Sequence, residues 1–302
     1  MSLDSDAVID RRKLKRRLSI WRLLAIASVA GAILAMIARE DGLIPRDHVA
    51  RINIDGIIVE DAARGRVLAR VAANDRTRAL IVSINSPGGT VVGGETLYRQ
   101  LRDVAKHKPV VAVMGTLATS GGYMTALGAD RIFARAGTIT GSIGVILQST
   151  DVTGLLKKLG IEAEAIKSSP LKAVPNPFEP LTEEGRAAAR AVVLDMYRQF
   201  VEMVAARRKM TPEAARKLSD GRIFTGRQAV ENRLIDAIGG ENEARAWLQS
   251  AHKVAKSLPT HAVRSRETSE DMLGLLGRIV GKTLFSERLT LDGLVSVWHP
   301  ER

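Results

Sequence analysis

The order of apolar and polar positions divides the chain into three regions. A charged opening stretch gives way to "LLAIASVAGAILAMIA", an uncharged apolar run from Leu23 to Ala38. Adding Ile20 and Trp21, with Arg22 reaching back to an interface, extends it over residues 20–38. At ~1.5 Å per residue that helix spans ~28 Å, close to the hydrocarbon thickness of a bilayer. From Val49 short apolar runs alternate with helical periodicity. "VARINIDGIIV" (Val49–Val59) predicts a strand interrupted at Gly56. "ALIVSI" (Ala79–Ile84) and "PVVAVMG" (Pro109–Gly115) are continuous apolar runs, as expected of strands buried on both faces. Between them Leu97, Leu101 and Val104 recur at helical spacing. "RIFA" and "IGVIL" predict two further short strands. Strands alternating with helices imply an α/β domain.

Beyond Thr182 the pattern turns helical. Val192, Met196 or Tyr197, Phe200, Met203 and Val204 share a face. Thr182 is placed to cap that helix, with Glu183 and Glu184 in the first turn, where the helix dipole favours anions. "TPEAARKL" predicts a restart, with Thr211 as cap and Pro212 at the first helical position. After Leu258 comes a polar stretch. An amphipathic run, Met272 to Trp298, then predicts a segment that docks on the membrane, on a neighbouring subunit or on its own domain. The resulting division is a basic tail (1–19), a transmembrane anchor (20–38), a linker (39–48), a catalytic domain (49–257) and an amphipathic tail (258–302).

Composition narrows the chemistry. Apolar residues make up 45% and aromatics only 4%, so the core must be built from Ala, Val, Ile and Leu. The absence of cysteine excludes disulfides, thiolate zinc sites and a cysteine nucleophile. Of the net charge of +12, a concentrated part lies in Arg11, Arg12, Lys13, Lys15, Arg16, Arg17 and Arg22. Placed before the apolar run, it predicts a cytoplasmic N-terminus and an extracytoplasmic body in a single-pass inner-membrane protein. A cleaved signal peptide would carry an A-x-A pattern, which "AMIARED" lacks. A nucleic-acid surface would interleave its basic stripe with aromatics, and this one does not.

The candidate nucleophile is Ser120 in "TLATSGGYMTALGAD", between an apolar strand and two glycines. A serine hydroxyl needs a base to take its proton. His48, His107, His252, His261 and His299 all lie outside the glycine-rich strand ends, so a histidine base is not indicated. A neutral lysine can serve, since burial disfavours the ammonium. "IKSSPLKAVPNPF" offers Lys167, followed by two serines, and Lys172, between Leu171 and "AVPNPF", in the more apolar setting. Oxyanion donors would come from glycine turns. "NSPGGTVVGG" after one strand and "SGG" after the next would make a cleft from both. Neither turn fits a phosphate loop or a dinucleotide fingerprint.

The segments "INSPGG", "ATSGGYMTALGADRIFARAGTITGSIGVI", "LKAVPNPFEPLTEE" and "GRIFTGRQAVENRLIDAIGG" occur in this order over Val49 to Leu248. In this the chain resembles the signal peptide peptidase A family in its short bacterial form. These are membrane-anchored serine proteases of the Clp protease/crotonase-like superfamily. The resemblance implies an α/β fold of repeated β-β-α units in a superhelix, with an N-terminal transmembrane helix. It implies a Ser–Lys dyad: Ser120, before "GGY", as nucleophile and Lys172 as general base and acid. Leu171 stands where the family usually has an aromatic, and one small residue is missing after the lysine. By the same analogy the backbone amides of Gly89 and Gly121 hold the oxyanion, and Ser142 in "TGSIGV" orders the site or hydrogen-bonds near the lysine. The family acts on remnant signal peptides and needs no cofactor. Its members assemble into homo-oligomeric rings at the membrane in which neighbouring subunits help complete each site. The residues alone leave two other classes open: a crotonase-like acyl-thioester enzyme, which would not need the Ser120 and Lys172 pair, and a catalytically silent scaffold.

Overall fold

The computed structural model describes residues 17–18, 20–29, 31, 47–263 and 294–297. The chain divides into two compact units, one ending at Asp47 and one starting at His48, and each is described by itself. In the first, residues 20–29 are helical (α1), with Trp21, Leu23 and Ile26 exposed. Among the described residues no helix is long and apolar enough to cross a membrane. Positions 30 and 32–38 of the expected anchor lie outside the described residues, as do 39–46 of the linker and most of the basic tail.

The second unit is a mixed α/β domain on a sheet whose central strands are parallel, in the order β9-β1-β2-β3-β4-β8. These are β1 (His48–Ile58), β2 (Thr77–Thr90), β3 (Val110–Thr119), β4 (Arg131–Ala134), β8 (Ala237–Ile238) and β9 (Thr260–Ala262). The apolar runs that predicted β2 and β3 are buried on both sides. Leu80, Val82 and Ile84 join Leu101, Met114 and Phe200 on one face, while Ala79 and Ile81 join Val111, Phe133 and Leu248 on the other. Alternation along a strand divides the two sets, and helices cover both. Helix α2 (Ala62–Ala73) links β1 to β2 and α3 (Val91–Ala105) links β2 to β3. Leu97, Leu101 and Val104 of α3 are buried, as their spacing predicts. The break expected at Gly56 is an irregularity: Gly56 has φ +68°, and the β1–β2 register shifts between Asp55 and Ile57.

Both central strands run past the lengths their apolar runs suggest. β3 pairs with β4 through Met114 and then with β5 (Ile139–Gly141) through Leu117–Thr119. β5 continues antiparallel onto β7 (Ile223–Thr225). β2 continues through Ser86, Pro87, Gly88 and Gly89. Proline lacks a ladder donor and is tolerated where pairing is irregular, and Pro87 falls at such a register shift. At its end β2 also pairs antiparallel with β10 (Leu294–Val297), which pairs in turn with β6 (Ile146–Leu147), the observed core of the "IGVIL" strand.

Helix α6 (Glu183–Arg208) starts at Thr182, whose side chain accepts the Gly185 N–H. α7 (Pro212–Lys217) starts at Thr211 with Pro212 in the first turn. Both caps are those expected. Of the face predicted for α6, Phe200 and Val204 near the C-terminal end are buried, as are the adjacent Val201 and Ala205, whereas Val192 is exposed. Arg207 fixes that end, donating to Leu127 O at 2.9 Å and to Ala129 O at 2.8 Å. Arg208 pairs with Asp236 at 2.9 Å. Short helices α5 (Thr153–Lys158), α8 (Gly226–Glu231) and α9 (Glu241–His252) complete the unit.

Candidate active site

Ser120 sits where β3 ends and helix α4 (Gly121–Ala126) begins. Its backbone has φ 54° and ψ −117°, a sparsely populated conformation for a residue with a Cβ. The surroundings enforce it: Ser120 N–H donates to Gly141 O at 2.8 Å, and Ser120 O accepts from Met124 N–H at 2.8 Å. Although Ser120 holds the N-cap position, its side chain makes no capping hydrogen bond. A serine chosen only to start a helix would use its hydroxyl for that purpose. A sharp strand-to-helix turn with a strained serine is the geometry that presents a hydroxyl as a nucleophile.

The two glycine turns meet here. A Cβ built on Gly121 would lie 3.2 Å from Gly89 N and 3.4 Å from Gly88 Cα, and one on Gly94 would lie 3.4 Å from Gly121 Cα. Gly89 is forced to be glycine by contact on its other side, since a Cβ there would fall 1.7 Å from Ile58 O. Side chains lock the first turn. Ser86 Oγ accepts the Gly88 N–H at 3.0 Å, Thr119 Oγ1 donates to Pro87 O at 3.0 Å, and Leu117 N–H donates to Asn85 Oδ1 at 3.1 Å. The Gly89 nitrogen is thereby held beside Gly121. Sequence reasoning missed Ser86 and Thr119. Their signal was a hydroxyl two residues before a glycine, the pattern of a side-chain-closed turn.

Ser142 follows Gly141, the residue that accepts from Ser120. It is buried, has φ 49°, and its N–H donates to Arg222 O at 2.8 Å. Thr140 Oγ1 donates to Ala118 O at 2.7 Å, tying the same strand to β3. Beneath Ser120, Tyr123 is fully buried and its hydroxyl donates to Leu234 O at 2.8 Å. Burial pushes its phenol well above the ordinary range, which keeps it a neutral donor. Ser120, Gly121, Gly88, Gly89 and the Gly141–Ser142 turn thus form one cluster at the C-terminal ends of β2 and β3. Ligand sites of parallel α/β sheets gather at that end.

The histidines lie elsewhere. His48 stacks on His261 at 4.5 Å and shares a hydrogen bond with Thr77 at the start of β2. His107 and His252 line a cavity with Thr77 and Pro109, at the N-terminal ends of β2 and β3. His299 is outside the described residues.

The two lysines reverse the setting expected of them. Lys167 is the withdrawn one, its side chain only 14% exposed and paired with Glu179 at 2.5 Å. The hydrogen bond from Lys167 is the largest cause of a Glu179 carboxyl held below its usual range. Lys172 is exposed, in a loop where it lines a cavity with Ile166, Lys167, Asn176 and Phe178. Neither Ser120 nor either glycine turn belongs to that cavity. The sequence-based expectation of a sheltered Lys172 overlooked that the neighbouring Leu171, Phe178 and Ile166 are themselves exposed, Ile166 at 99%.

Comparison with known proteins adds to this geometry. The pattern of Peptidase family S49 matches residues 102–255. A Synechocystis sp. protein provisionally named a protease is 40% identical over 203 residues, 67% of this chain and 73% of its own length. The chain belongs to peptidase family S49. An Enterococcus faecium protein provisionally named signal peptide peptidase SppA is 32% identical, over 77% of this chain and 67% of its own. Protease 4 of Haemophilus influenzae is 33% identical over 66% of this chain and 34% of its own. Among solved structures, a ClpP1 mutant from Listeria monocytogenes aligns with 63% of this chain and 91% of its own, at 17% identity and a TM-score of 0.43. As an S49 member the chain is a serine-type peptidase.

Proposed function

We propose that this S49 peptidase is a membrane-anchored endopeptidase with a Ser–Lys dyad that degrades remnant signal peptides and other apolar peptides after export. The observation that carries the reading is Ser120: a strained serine with no capping role, at the C-terminal end of a parallel strand, flanked by Gly89 and Gly121. Ser120 attacks the peptide carbonyl, its proton passes to a neutral Lys172, and an acyl-enzyme forms. The amides of Gly89 and Gly121 receive the oxyanion, each donor contributing about 3 kcal/mol in comparable enzymes. Lys172 returns the proton to the leaving amine and then activates water for deacylation. Ser142 orders the turn that accepts the Ser120 amide.

Lys172 comes from a neighbouring copy in a homo-oligomeric ring built on a Clp protease/crotonase-like superhelix. Its exposure in the single chain supports this, because an amine must lose its hydration to act as a base. So do the exposed apolar side chains Leu155, Leu159, Ile161, Ile166 and Phe178 of the same region and the uncovered half of α6. A contact between copies would remove both from water. The apolar run at residues 20–38 anchors the chain in the inner membrane with the N-terminus in the cytoplasm and the catalytic domain outside. That location sets the site beside apolar peptides left by export.

A fluorophosphonate probe tests the chemistry. The full chain should be labelled at Ser120, labelling should vanish in Ser120→Ala, and it should fall by about 10²–10⁴ in Lys172→Met. Labelling of a different serine, or full labelling in Lys172→Met, contradicts the proposal.

A further inference from the structure

We infer that Asp220 is a positioning residue of the peptidase site: by clamping Arg222 it sets the backbone that holds the nucleophile turn in its strained shape. This role rests on Ser120 as the nucleophile. It engages Arg222 of "GRIFTG" (Gly221–Gly226), a segment that the dyad chemistry leaves unused.

The support of Ser120 comes from outside its own strand. Ser120 N–H donates to Gly141 O, and Ser142 N–H donates to Arg222 O, both at 2.8 Å. Gly141 and Ser142 have φ of 82° and 49°. Two such residues in succession do not keep that shape by local preference, least of all with a Cβ on the second. β7 imposes it. Gly141 lies opposite Ile223 in the antiparallel pair, and a Cβ on Gly141 would fall 2.6 Å from Phe224 Cδ2 and 3.0 Å from Arg222 O. The position of Arg222 O therefore governs where Gly141 O points, and with it the Ser120 amide.

Arg222 is fixed in turn by a residue two positions back. Asp220 Oδ1 accepts the Arg222 N–H at 3.2 Å. Its two carboxylate oxygens each accept from Arg222 Nε at 2.8 Å, and Oδ2 accepts from Nη2 as well. Gly221 between them has φ 88°, which glycine adopts without strain. The hydrogen bond from Arg222 is the largest cause of an Asp220 carboxyl held below its usual range, so the pair is charged at neutral pH. Ser219 Oγ donates to Ala215 O at 2.7 Å and ties the start of the turn to α7. Both side chains of the ion pair are exposed, 43% for Asp220 and 63% for Arg222. A pair in that setting adds little to global stability. Its consequence is local: it fixes one carbonyl.

Three variants of the full chain test this: Asp220→Ala, Arg222→Ala and the two combined. Arg222→Ala keeps the carbonyl that meets Ser142 and removes only the clamp. Fluorophosphonate labelling of Ser120, amide hydrogen exchange and thermal unfolding are read in each. Both single variants should exchange faster at the Ser142 and Ser120 amides and label about tenfold more slowly, with Tm within about 2 °C of the parent. The combined variant should be no slower than Asp220→Ala, because the two residues act as one unit. Asp220→Asn keeps an acceptor for the Arg222 N–H but loses the charge, and should label at a rate between those of Asp220→Ala and the parent.

Unchanged exchange at Ser142 in both single variants overturns the inference. Faster exchange with parental labelling also overturns it, since the clamp would then hold the turn without serving the nucleophile. A large drop in Tm with a matching loss of labelling overturns it in favour of a merely structural role. A parent enzyme labelled at a serine other than Ser120, or not labelled at all, refutes the nucleophile reading and the inference with it, a failure seen before any variant is made.

Discussion

Alanine at position 89 should damage the site far more than alanine at position 121, although both residues are proposed as oxyanion donors. A Cβ on Gly89 would sit 1.7 Å from Ile58 O and 2.5 Å from Ile58 C, both backbone atoms at the last pair of the β1–β2 ladder. Non-bonded carbon contacts are comfortable at about 3.5–4.0 Å, so the turn has to move by well over an ångström or break from β1. A movement of that size takes the Gly89 amide away from the oxyanion position. Losing one such donor costs roughly 10²–10³ in kcat, about 3–4 kcal/mol. At Gly121 the nearest atom to the new Cβ is Gly89 N at 3.2 Å, and a shift of a few tenths of an ångström relieves it. Gly121→Ala should therefore retain a kcat within about tenfold of the parent, with its amide still in line. The assay is single-turnover acylation by a chromogenic peptide ester, with thermal unfolding alongside. Gly89→Ala should lose kcat with little change in KM for the fraction that stays folded. Equal rates in the two variants, or a Gly89→Ala enzyme as fast as the parent, would refute the assignment of that turn to the oxyanion.

Two further outcomes follow from single contacts. Tyr123→Phe removes the buried hydrogen bond to Leu234 O and leaves that carbonyl without the hydroxyl. It should cost about 1–3 kcal/mol and lower Tm by several degrees on a calorimetric scan, while Ser120 is labelled at the parent rate at 25 °C. The Glu179 carboxyl is held below the 4.5 of a free glutamate by Lys167. A lowered folded value means that its support for the loop is complete above the free value and is lost as pH falls through the lowered one. Protection of the amides of residues 162–179 from hydrogen exchange should thus fall in the parent as pH drops below the free-glutamate value, and in Glu179→Gln it should be low at every pH.

The sequence shows the core of this fold and blurs its edges, for identifiable reasons. β2 and β3 were visible because burial on both faces demands uninterrupted apolar residues. The helix starts at Thr182 and Thr211 were visible because a cap is a local arrangement of side chain and backbone. Strands β5, β7, β8 and β9 hold two or three residues each, too few for any periodicity. They exist because longer strands offer them an edge. The extension of β2 through Ser86–Gly89 was hidden behind residues that ordinarily signal a turn, and it became a strand because β1 shifts register beside it.

For the site, Ser120 and the two glycine turns were legible, since each is a strand end with its own local pattern. The surroundings of Lys172 were not. An apolar neighbour in sequence shelters a lysine only if that neighbour is itself buried, and Leu171 and Phe178 are exposed in the single chain. The same limit applies to α6, whose spacing marks an apolar face but cannot say what covers it.

Mixing two inactive variants tests the central claim, that Ser120 of one copy is served by Lys172 of another. Ser120→Ala and Lys172→Met should each be inert toward a peptide substrate. Co-expressed in one membrane, they should regain a substantial fraction of parental turnover, because some neighbours then supply an intact serine and an intact lysine to the same site. Co-assembled chains that remain as inactive as either variant alone would contradict the account.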